Sequence, residues 1–303
     1  RDEDQIAVLE MGISDFGEMA RLTKIAKPDT CVITNIGTCH LENLGDRDGV
    51  LKVKTEIFQS MKPNGHIVLN GDDDKLITVR EYNGVKPVFF GLNSERDVYA
   101  DQIESKGLKG VACRIHLGED AFDVLVPTPG IHMVYNALAA AAVGRIYGLT
   151  IEEIRRGIES LETIRGRFKM IETDKFLVVD DCYNANPMSM KASLDVLHDG
   201  EGRRVAILGD MGELGEDEAA LHEGVGIHAA TCGIDACVCV GDLAVHIAEA
   251  ARKANPDFPV YYEKTRESLL EHLNDYVQKG DTILVKASHF MKFEEVVKAL
   301  EEM

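Results

Sequence analysis

The sequence lacks both a long apolar run and a leader pattern. No apolar stretch reaches the roughly eighteen residues that a membrane-spanning helix needs. The charged start, RDEDQIAVLEMG, passes into a strand-like pattern within a few residues, unlike a signal peptide. With 45% hydrophobic and 28% charged residues, the composition is ordinary for a globular protein in water.

Paired cysteine motifs are also missing. The seven cysteines are scattered and odd in number, and none lies in a CxxC motif. Cys237 and Cys239 are two residues apart on a predicted strand, which is the spacing of core residues on one face. These features argue against a disulfide framework or a zinc site, and they predict a cytoplasmic protein in a reducing compartment.

Basic residues are in deficit, with 33 Lys and Arg against 52 Asp and Glu. The formal net charge of −19 argues against general binding to nucleic acid or to an anionic membrane surface. An anionic small ligand remains compatible with this charge, provided that basic residues gather locally.

Short apolar runs alternate with amphipathic helical patterns along the chain, and this alternation predicts an α/β fold with mostly parallel sheets. Residues 97–126 differ, since three short strand patterns follow one another without a helix and predict a small antiparallel insertion. We place a domain boundary near ETIRGRFKM, which divides the chain into residues 1–164 and 165–303. The predicted parallel strands are IAVLEMG, CVITNIG, HIVLNGD, KPVFFG, FLVVDD, RVAILGD, ACVCVGD and TILVKAS.

Polar residues recur where these predicted strands end. Ligands of open parallel sheets bind at the carboxyl ends of the strands, so these residues are candidates for a site. Each one could instead cap the next helix or form a turn. The candidates are Glu10, Asn35, His40, Asn70 to Asp74, Asp181, Asp210 and Lys286.

The densest cluster is VVDDCYNANPMSM, residues 178–190. A buried strand normally ends in a simple turn of Gly, Asn or Pro. Here two β-branched residues run into Asp180 and Asp181, and several side chains that can form hydrogen bonds follow. Pro187 is suited to the first position of a helix.

The 303 residues contain no phosphate-binding loop of the GxxxxGK[ST] type. GDMGELG (209–215) follows a predicted strand and could present N–H groups to a phosphate, but its spacing is not GxGxxG. In GVLKVKT (49–55), Val53 stands where the second glycine of such a loop belongs.

Taken together, the motifs resemble the Mur ligase family over essentially the whole chain. The resemblance implies a central ATP-binding domain in residues 1–164, incomplete at its N-terminus, and a Rossmann-like ligase domain in residues 165–303. The segments that carry it occur in the family's order: VLEMGISDFGEM, TNIGTCHLENLG, VKTEIF, NGDDD, PGIHMVYNALAAAA, RGRF, VVDDCYNANPMSM, LGDMGELG and LVKASHFMKFEEVV.

The resemblance also implies a reaction. ATP phosphorylates a substrate carboxylate, and an amine then attacks the acyl phosphate to form a peptide bond. The DDCYNANP segment is most similar to the members that join D-alanyl-D-alanine to UDP-N-acetylmuramoyl-tripeptide in peptidoglycan precursor synthesis. We expect a monomer that binds these small molecules and neither nucleic acid nor the membrane interior.

Three residues match the family's catalytic and metal-binding positions. By resemblance, Glu10 holds a Mg²⁺ through its carboxylate oxygens, the ligands that a hard cation prefers, and His40 helps to bind a second Mg²⁺. Lys54 matches a lysine that many members carry carbamylated, so that it supplies an anionic oxygen. From the sequence alone, Lys54 could equally be a solvated helix lysine like Lys52, Glu10 a helix N-terminal charge, and His40 a surface residue.

Three further residues match positions that bind ATP: Asn136 the adenine, Arg167 a phosphate, and Asp181 the ribose. Met133 replaces an asparagine that is usual in the family. Other matching positions are expected to face the substrate, while His289 stands where the family has arginine. These substrate-facing residues are Tyr183, Asn184, Asn186, Lys286 and Ser288.

The family also has an N-terminal domain and a P-loop before the LEMG strand, and these 303 residues contain neither. We therefore expect a fragment of a longer ligase. Two alternatives stay open: a non-catalytic nucleotide-binding module, and a related amide ligase similar to folylpolyglutamate synthetase. The GxxxxGK[ST] motif, if found directly upstream of residue 1, would favour the ligase.

We predict that the 303-residue chain alone neither hydrolyses ATP nor ligates D-alanyl-D-alanine. Without a P-loop, the transferring phosphoryl group lacks its main electrostatic stabilisation. Phosphate release with ATP, Mg²⁺, acceptor and dipeptide should equal that of a Glu10→Ala control. Release above this control at the rate of an ordinary ligase would contradict the prediction.

Overall fold

A computed structural model describes residues 3–37 and 41–303. The chain forms two compact units. One comprises residues up to 103 together with 113–124 and 134–159, and the other comprises 104–112, 125–133 and 160–303. Within the described ranges, no helix is both long and apolar enough to cross a membrane.

The first sheet has six strands whose spatial order is their order in the chain. Parallel pairing joins the first four. This confirms the predicted parallel strands CVITNIG, HIVLNGD and KPVFFG, whereas the fourth strand, predicted to belong to the antiparallel insertion, pairs in parallel with the third. The last two strands are joined by only two residues, and such a short connection requires an antiparallel pair. The strands are β1 (Thr30–Ile33), β2 (His66–Asn70), β3 (Val88–Gly91), β4 (Val98–Ser105), β5 (Val111–Leu117) and β6 (Asp120–Val126).

Helices alternate with the strands in this part of the chain, as the sequence predicts. The carboxylate of Asp46 accepts a hydrogen bond from the Gly49 N–H at 2.9 Å, and this cap sets the start of the helix that carries Lys54. That helix continues into a 3-10 turn at Glu56–Ser60. The helices are α1 (Glu18–Ala26), α2 (Leu41–Leu44), α3 (Arg47–Thr55), α4 (Ile131–Ile146) and α5 (Ile151–Glu159).

The predicted strand IAVLEMG is wrong, because residues 6–12 adopt no regular secondary structure. Ile6, Val8 and Leu9 are 78%, 94% and 60% exposed. A strand is held by hydrogen bonds to a neighbour, and no described strand pairs with this segment. The apolar pattern alone therefore does not produce a strand here.

The second sheet is a doubly wound arrangement with strand order β11-β10-β9-β12-β8-β7. All of its pairs are parallel except β7 with β8. The sequence patterns missed β7 and β11, which are short edge strands with polar residues among the apolar ones. The strands are β7 (Lys169–Glu172), β8 (Leu177–Asp180), β9 (Arg204–Gly209), β10 (Ala236–Val240), β11 (Val260–Glu263) and β12 (Thr282–Lys286).

Both faces of this sheet are covered by helices, and strand alternation divides the core in two. On β9, Ala206 and Leu208 join one cluster, while Val205 and Ile207 join the other. Cys237 and Cys239 lie together in the first cluster, which confirms their predicted placement on one face. The helices are α6 (Pro187–His198), α7 (Glu218–Thr231), α8 (Ala244–Ala254), α9 (Arg266–Tyr276) and α10 (Glu294–Glu302).

Asp210 follows β9 and caps the start of α8, the helix that comes after the neighbouring strand β10. Its buried carboxylate accepts hydrogen bonds from the N–H groups of Asp242, Leu243 and Ala244, at 3.1, 3.1 and 2.7 Å. Burial raises its pKa, although these three donors oppose that shift. Asp210 therefore has a capping role, but for the helix after the neighbouring strand and not for the next helix along the chain.

Gly241 gives a test of this cap. Its φ is +128°, and a Cβ there would lie 2.3 Å from Asp210 Oδ1. Gly280 has a φ of +94° with open space around a Cβ, so it controls for backbone strain alone. We expect Gly280→Ala to lower the free energy of unfolding by about 1 kcal/mol and Gly241→Ala by about 3 kcal/mol or more. Equal losses in urea denaturation would contradict a role for the contact.

Candidate active site

The predicted site residues fall into two groups. Glu10, Lys54 and Asn136 belong to the first unit. His40 lies outside the described residues. The second unit contains the larger group, which comprises Arg167, Asp181, Tyr183, Asn184, Asn186, Lys286 and Ser288.

In the first unit, side chains hold the loop that follows β1. Lys54 Nζ donates to the carbonyl oxygen of Asn35 at 2.9 Å, and Arg47 Nε donates to that of Ile36 at 3.0 Å. The Ile36 N–H donates to Asp73 Oδ2 at 2.7 Å. The backbone of this loop is therefore fixed at the carboxyl end of the strand, where the sequence predicts a site.

Lys54 and Lys52 have different environments although they share helix α3. Lys54 is half-buried and reaches the loop after β1, whereas Lys52 is exposed and lies 5.6 Å from the centre of the Phe16 ring. This contrast favours the interpretation that Lys54 is a functional residue over the alternative that it is a solvated helix lysine.

The donor set suits Mg²⁺ only in part. Glu10 is exposed and offers carboxylate oxygens, but a lysine ammonium repels a cation. A carbamate on Lys54 would supply anionic oxygens, and its nitrogen would keep one hydrogen for the bond to the carbonyl oxygen of Asn35. Among the residues that the structure describes, no three His, Cys, Asp or Glu side chains form a metal-binding group. The metal site remains a prediction.

The acidic run NGDDD after β2 has structural roles. Asp72 Oδ2 accepts from the Leu92 N–H at 2.5 Å. Asp73 Oδ1 accepts from the N–H groups of Lys75 and Leu76, while its Oδ2 holds Ile36. Asp74 forms a bidentate ion pair with an arginine on α3. These carboxylates stabilise the loops at the edge of the sheet.

Asn136 is exposed on α4, whereas the neighbouring Ala137 and Leu138 are buried. The alanine run therefore packs into the core and leaves the asparagine on the outer side of the helix. One residue earlier, the Tyr135 hydroxyl donates to Asp72 Oδ2 at 3.2 Å. This contact ties the start of the helix to the edge of the sheet.

In the second unit, the two aspartates after β8 point to different partners. Asp181 Oδ2 accepts from Lys286 Nζ at 2.6 Å and from Ser193 Oγ at 2.7 Å. Asp180 is buried, and its Oδ2 accepts from the Gly166 N–H at 2.9 Å. Asp181 thus forms an ion pair at the carboxyl end of the sheet, and Asp180 anchors the segment before β7.

Lys286 is nearly inaccessible, with a side chain 3% exposed. It ends β12, which pairs with β8 so that Val285 lies opposite Asp180. Its ammonium also donates to the carbonyl oxygen of Asn184 at 3.1 Å. Burying an ammonium is costly unless it is paired. The carboxylate of Asp181 therefore explains how the charged side chain of Lys286 can be buried.

Ser288 and His222 fix the loop that begins at Asp210. Ser288 Oγ accepts from the Gly212 N–H at 2.9 Å. His222 Nε2 accepts from the Met211 N–H at 2.9 Å, and its Nδ1 donates to the carbonyl oxygen of Glu218 at 2.6 Å. Burial lowers the pKa of His222, which keeps the imidazole neutral for this role. Sequence reasoning missed His222, because a histidine within a helix pattern gives no signal of a loop partner.

Asn186 caps helix α6. Its side-chain oxygen accepts from the Ser189 N–H at 2.9 Å, and Ser189 Oγ accepts from the Asn186 N–H at 3.1 Å. Pro187 is the first residue of the helix, as predicted. Asn184 is exposed, and its side-chain oxygen accepts from the Ala185 N–H at 2.8 Å. The NANP segment thus turns the chain from β8 into the helix.

Arg167 lies over the ring of Tyr183, with 4.3 Å between its guanidinium carbon and the ring centre. The His289 ring contacts the same tyrosine at 5.6 Å between centroids. Gly166 brings the arginine there with a φ of +77°. The second unit therefore holds Arg167 over Tyr183, which follows Asp181 by two residues in the chain.

Comparison with known proteins gives two family matches. The model described as "Mur ligase middle domain" matches residues 1–144. The model described as "Mur ligase, glutamate ligase domain" matches residues 166–289.

Among curated relatives, the chain is 36% identical over 304 residues to the UDP-N-acetylmuramoyl-tripeptide–D-alanyl-D-alanine ligase of Bacillus subtilis (strain 168). The match covers 99% of this chain and 65% of the relative. The enzyme of the same name from Escherichia coli (strain K12) is 34% identical, with 99% and 66% covered.

Solved structures agree with these matches. MurF from Acinetobacter baumannii has a TM-score of 0.90 and 32% identity, over 100% of this chain and 66% of that one. MurF ligase from Thermotoga maritima in complex with ADP has a TM-score of 0.81 and 28% identity, over 95% and 65%. The chain thus spans slightly less than two thirds of the length of its relatives. With both domain matches in order, it belongs to the Mur ligase family.

Proposed function

We propose that the chain is the catalytic part of an ATP-dependent ligase that joins D-alanyl-D-alanine to UDP-N-acetylmuramoyl-tripeptide in peptidoglycan precursor synthesis. The observation that carries this proposal is the 36% identity over 99% of the chain to an enzyme of that name. The anchored Lys54 and the Asp181–Lys286 pair support it, since both lie where strands of a parallel sheet end.

The reaction has two steps. A carboxylate oxygen of the tripeptide attacks the γ-phosphorus of ATP and releases ADP, which gives an acyl phosphate. The amino group of the dipeptide then attacks the acyl carbon, a proton leaves the nitrogen, and inorganic phosphate departs. Both steps concentrate negative charge, so positioned cationic groups lower their barriers.

Each predicted residue receives a role in this proposal. Asn136 binds the adenine, Asp181 the ribose and Arg167 a phosphate. Mg²⁺, when bound, neutralises charge on the phosphates, and the residues that would hold it are Glu10, His40 and a carbamylated Lys54. Of the residues predicted to face the incoming dipeptide, Tyr183 and Asn184 are exposed and Asn186 is half-buried beside them. Lys286 and Ser288 are buried, so we propose that they support this surface from behind.

We also propose that the protein acts in the cytoplasm as a monomer. The six described cysteines are free thiols, which fits a reducing compartment. Fractionation of the producing cell and sedimentation of the purified protein test these two points.

The reaction is tested with the complete gene product. We expect release of phosphate only when ATP, UDP-N-acetylmuramoyl-tripeptide and D-alanyl-D-alanine are all present, with the pentapeptide product identified by mass. Turnover with a folate and glutamate instead would favour the folylpolyglutamate-type alternative. Nucleotide binding without turnover on any pair would favour the non-catalytic module.

Lys54 provides a second test in the complete gene product. Lys54→Ala removes the oxygen ligand that the carbamate supplies, so ligation should fall about 100-fold or more. Bicarbonate should not restore the rate, whereas short carboxylic acids should restore part of it. Lys52→Ala, on the exposed side of the same helix, is the matched control and should ligate normally. Normal rates for Lys54→Ala would contradict the role.

A further inference from the structure

Arg167 is held by an aromatic ring. Its guanidinium carbon lies 4.3 Å from the centre of the Tyr183 ring, within the range of a cation–π contact. Within the described residues, no ion pair of 4.0 Å or less involves Arg167. Arg165, two residues earlier, is instead bound in two places by the carboxylate of Glu301, at 2.9 and 3.2 Å.

The backbone fixes the two partners relative to each other. The Tyr183 N–H donates to the carbonyl oxygen of Gly166 at 2.9 Å, and the Gly166 N–H donates to Asp180 at 2.9 Å. A Cβ at Gly166 would lie 3.0 Å from the Cβ of Tyr183. The segment that carries Arg167 is therefore bound closely to the segment that carries Tyr183.

An aromatic partner has a different electrostatic effect from a carboxylate. A carboxylate orients a guanidinium but cancels its charge, as for Arg165 and Glu301. The face of an aromatic ring orients the guanidinium through its quadrupole and leaves the full positive charge. An arginine that must meet an anionic oxygen is better prepared by the second arrangement.

We propose that Tyr183 is a positioning residue, which holds Arg167 ready for a phosphate oxygen of the nucleotide through its ring and not through its hydroxyl. This inference rests on the proposed function, because it takes Arg167 as the phosphate-binding residue. It changes the role of Tyr183 from a contact with the dipeptide to a contact with Arg167. His289, at 5.6 Å from the same ring, braces the tyrosine.

The test compares three substitutions in the complete gene product. Tyr183→Leu removes the ring, Tyr183→Phe restores the ring without the hydroxyl, and Arg167→Met removes the cation. Tyr183 is 49% exposed, so its replacement should leave the unfolding transition unchanged. Tyr261→Leu is the matched control, since Tyr261 is a 38% exposed tyrosine on β11.

We expect Tyr183→Leu to raise the KM for ATP by about 3- to 30-fold, the range of a cation–π contact, with the KM for D-alanyl-D-alanine unchanged. For Tyr183→Phe, most of this rise in the KM for ATP should disappear, and for Tyr261→Leu the KM for ATP should not rise. In the Arg167→Met background, Tyr183→Leu should add nothing further, because residues that act through one contact are not additive.

Three results would overturn the proposal. They are a Tyr183→Phe defect as large as that of Tyr183→Leu, a rise in the KM for the dipeptide, and additive effects in the double variant. The affinity for ADP, measured by calorimetry for the same variants, gives the same comparison without turnover. An enzyme that binds ADP with the expected pattern but does not ligate refutes the proposed function alone. Equal affinity for ADP in the wild type and in Tyr183→Leu refutes the positioning role alone.

Discussion

The ion pair between Lys286 and Asp181 is the interaction on which the second unit's site depends. A side chain only 3% exposed carries a full positive charge, and the carboxylate 2.6 Å away balances it. Adjacent parallel strands supply one partner each, so the sheet itself creates the pair. Because Ser193 holds the same carboxylate oxygen and Asn184 accepts from the same ammonium, the turn after β8 takes its shape around this charge.

In the first unit, side chains fix the end of a strand by binding backbone groups of the loop that follows it. The loop after β1 has its carbonyl oxygens held by Lys54 and Arg47 and an N–H held by Asp73. Loop backbone needs such partners, since it lacks those that a helix or strand provides. In both units, long side chains from later elements fix the end of an earlier strand.

The sequence predicted the parts that depend on local pattern. The alternation of strand and helix patterns predicted the parallel sheets. The polar residues at the ends of the predicted strands included Asp181 and Lys286 as candidates for the site. The pairing of these two residues could not be predicted, because it depends on β12 lying beside β8, over 100 residues earlier in the chain. The same holds for Asp180 with Gly166, and for His222 with Met211. The prediction of a strand at IAVLEMG is wrong for the opposite reason. Its apolar pattern is strong, but no described strand pairs with it.

The bond from Met211 to His222 sets a lower pH limit for the loop that follows β9. As an acceptor at Nε2, the imidazole must stay neutral, and burial lowers its pKa from the ordinary 6.5. A protonated ring would turn a donor toward the Met211 N–H, so that two donors face each other. Below about pH 6.5 the imidazole of the unfolded chain binds a proton, whereas that of the folded chain stays neutral. The contribution of His222 to the free energy of unfolding is therefore complete above this pH and declines as the solution becomes more acidic.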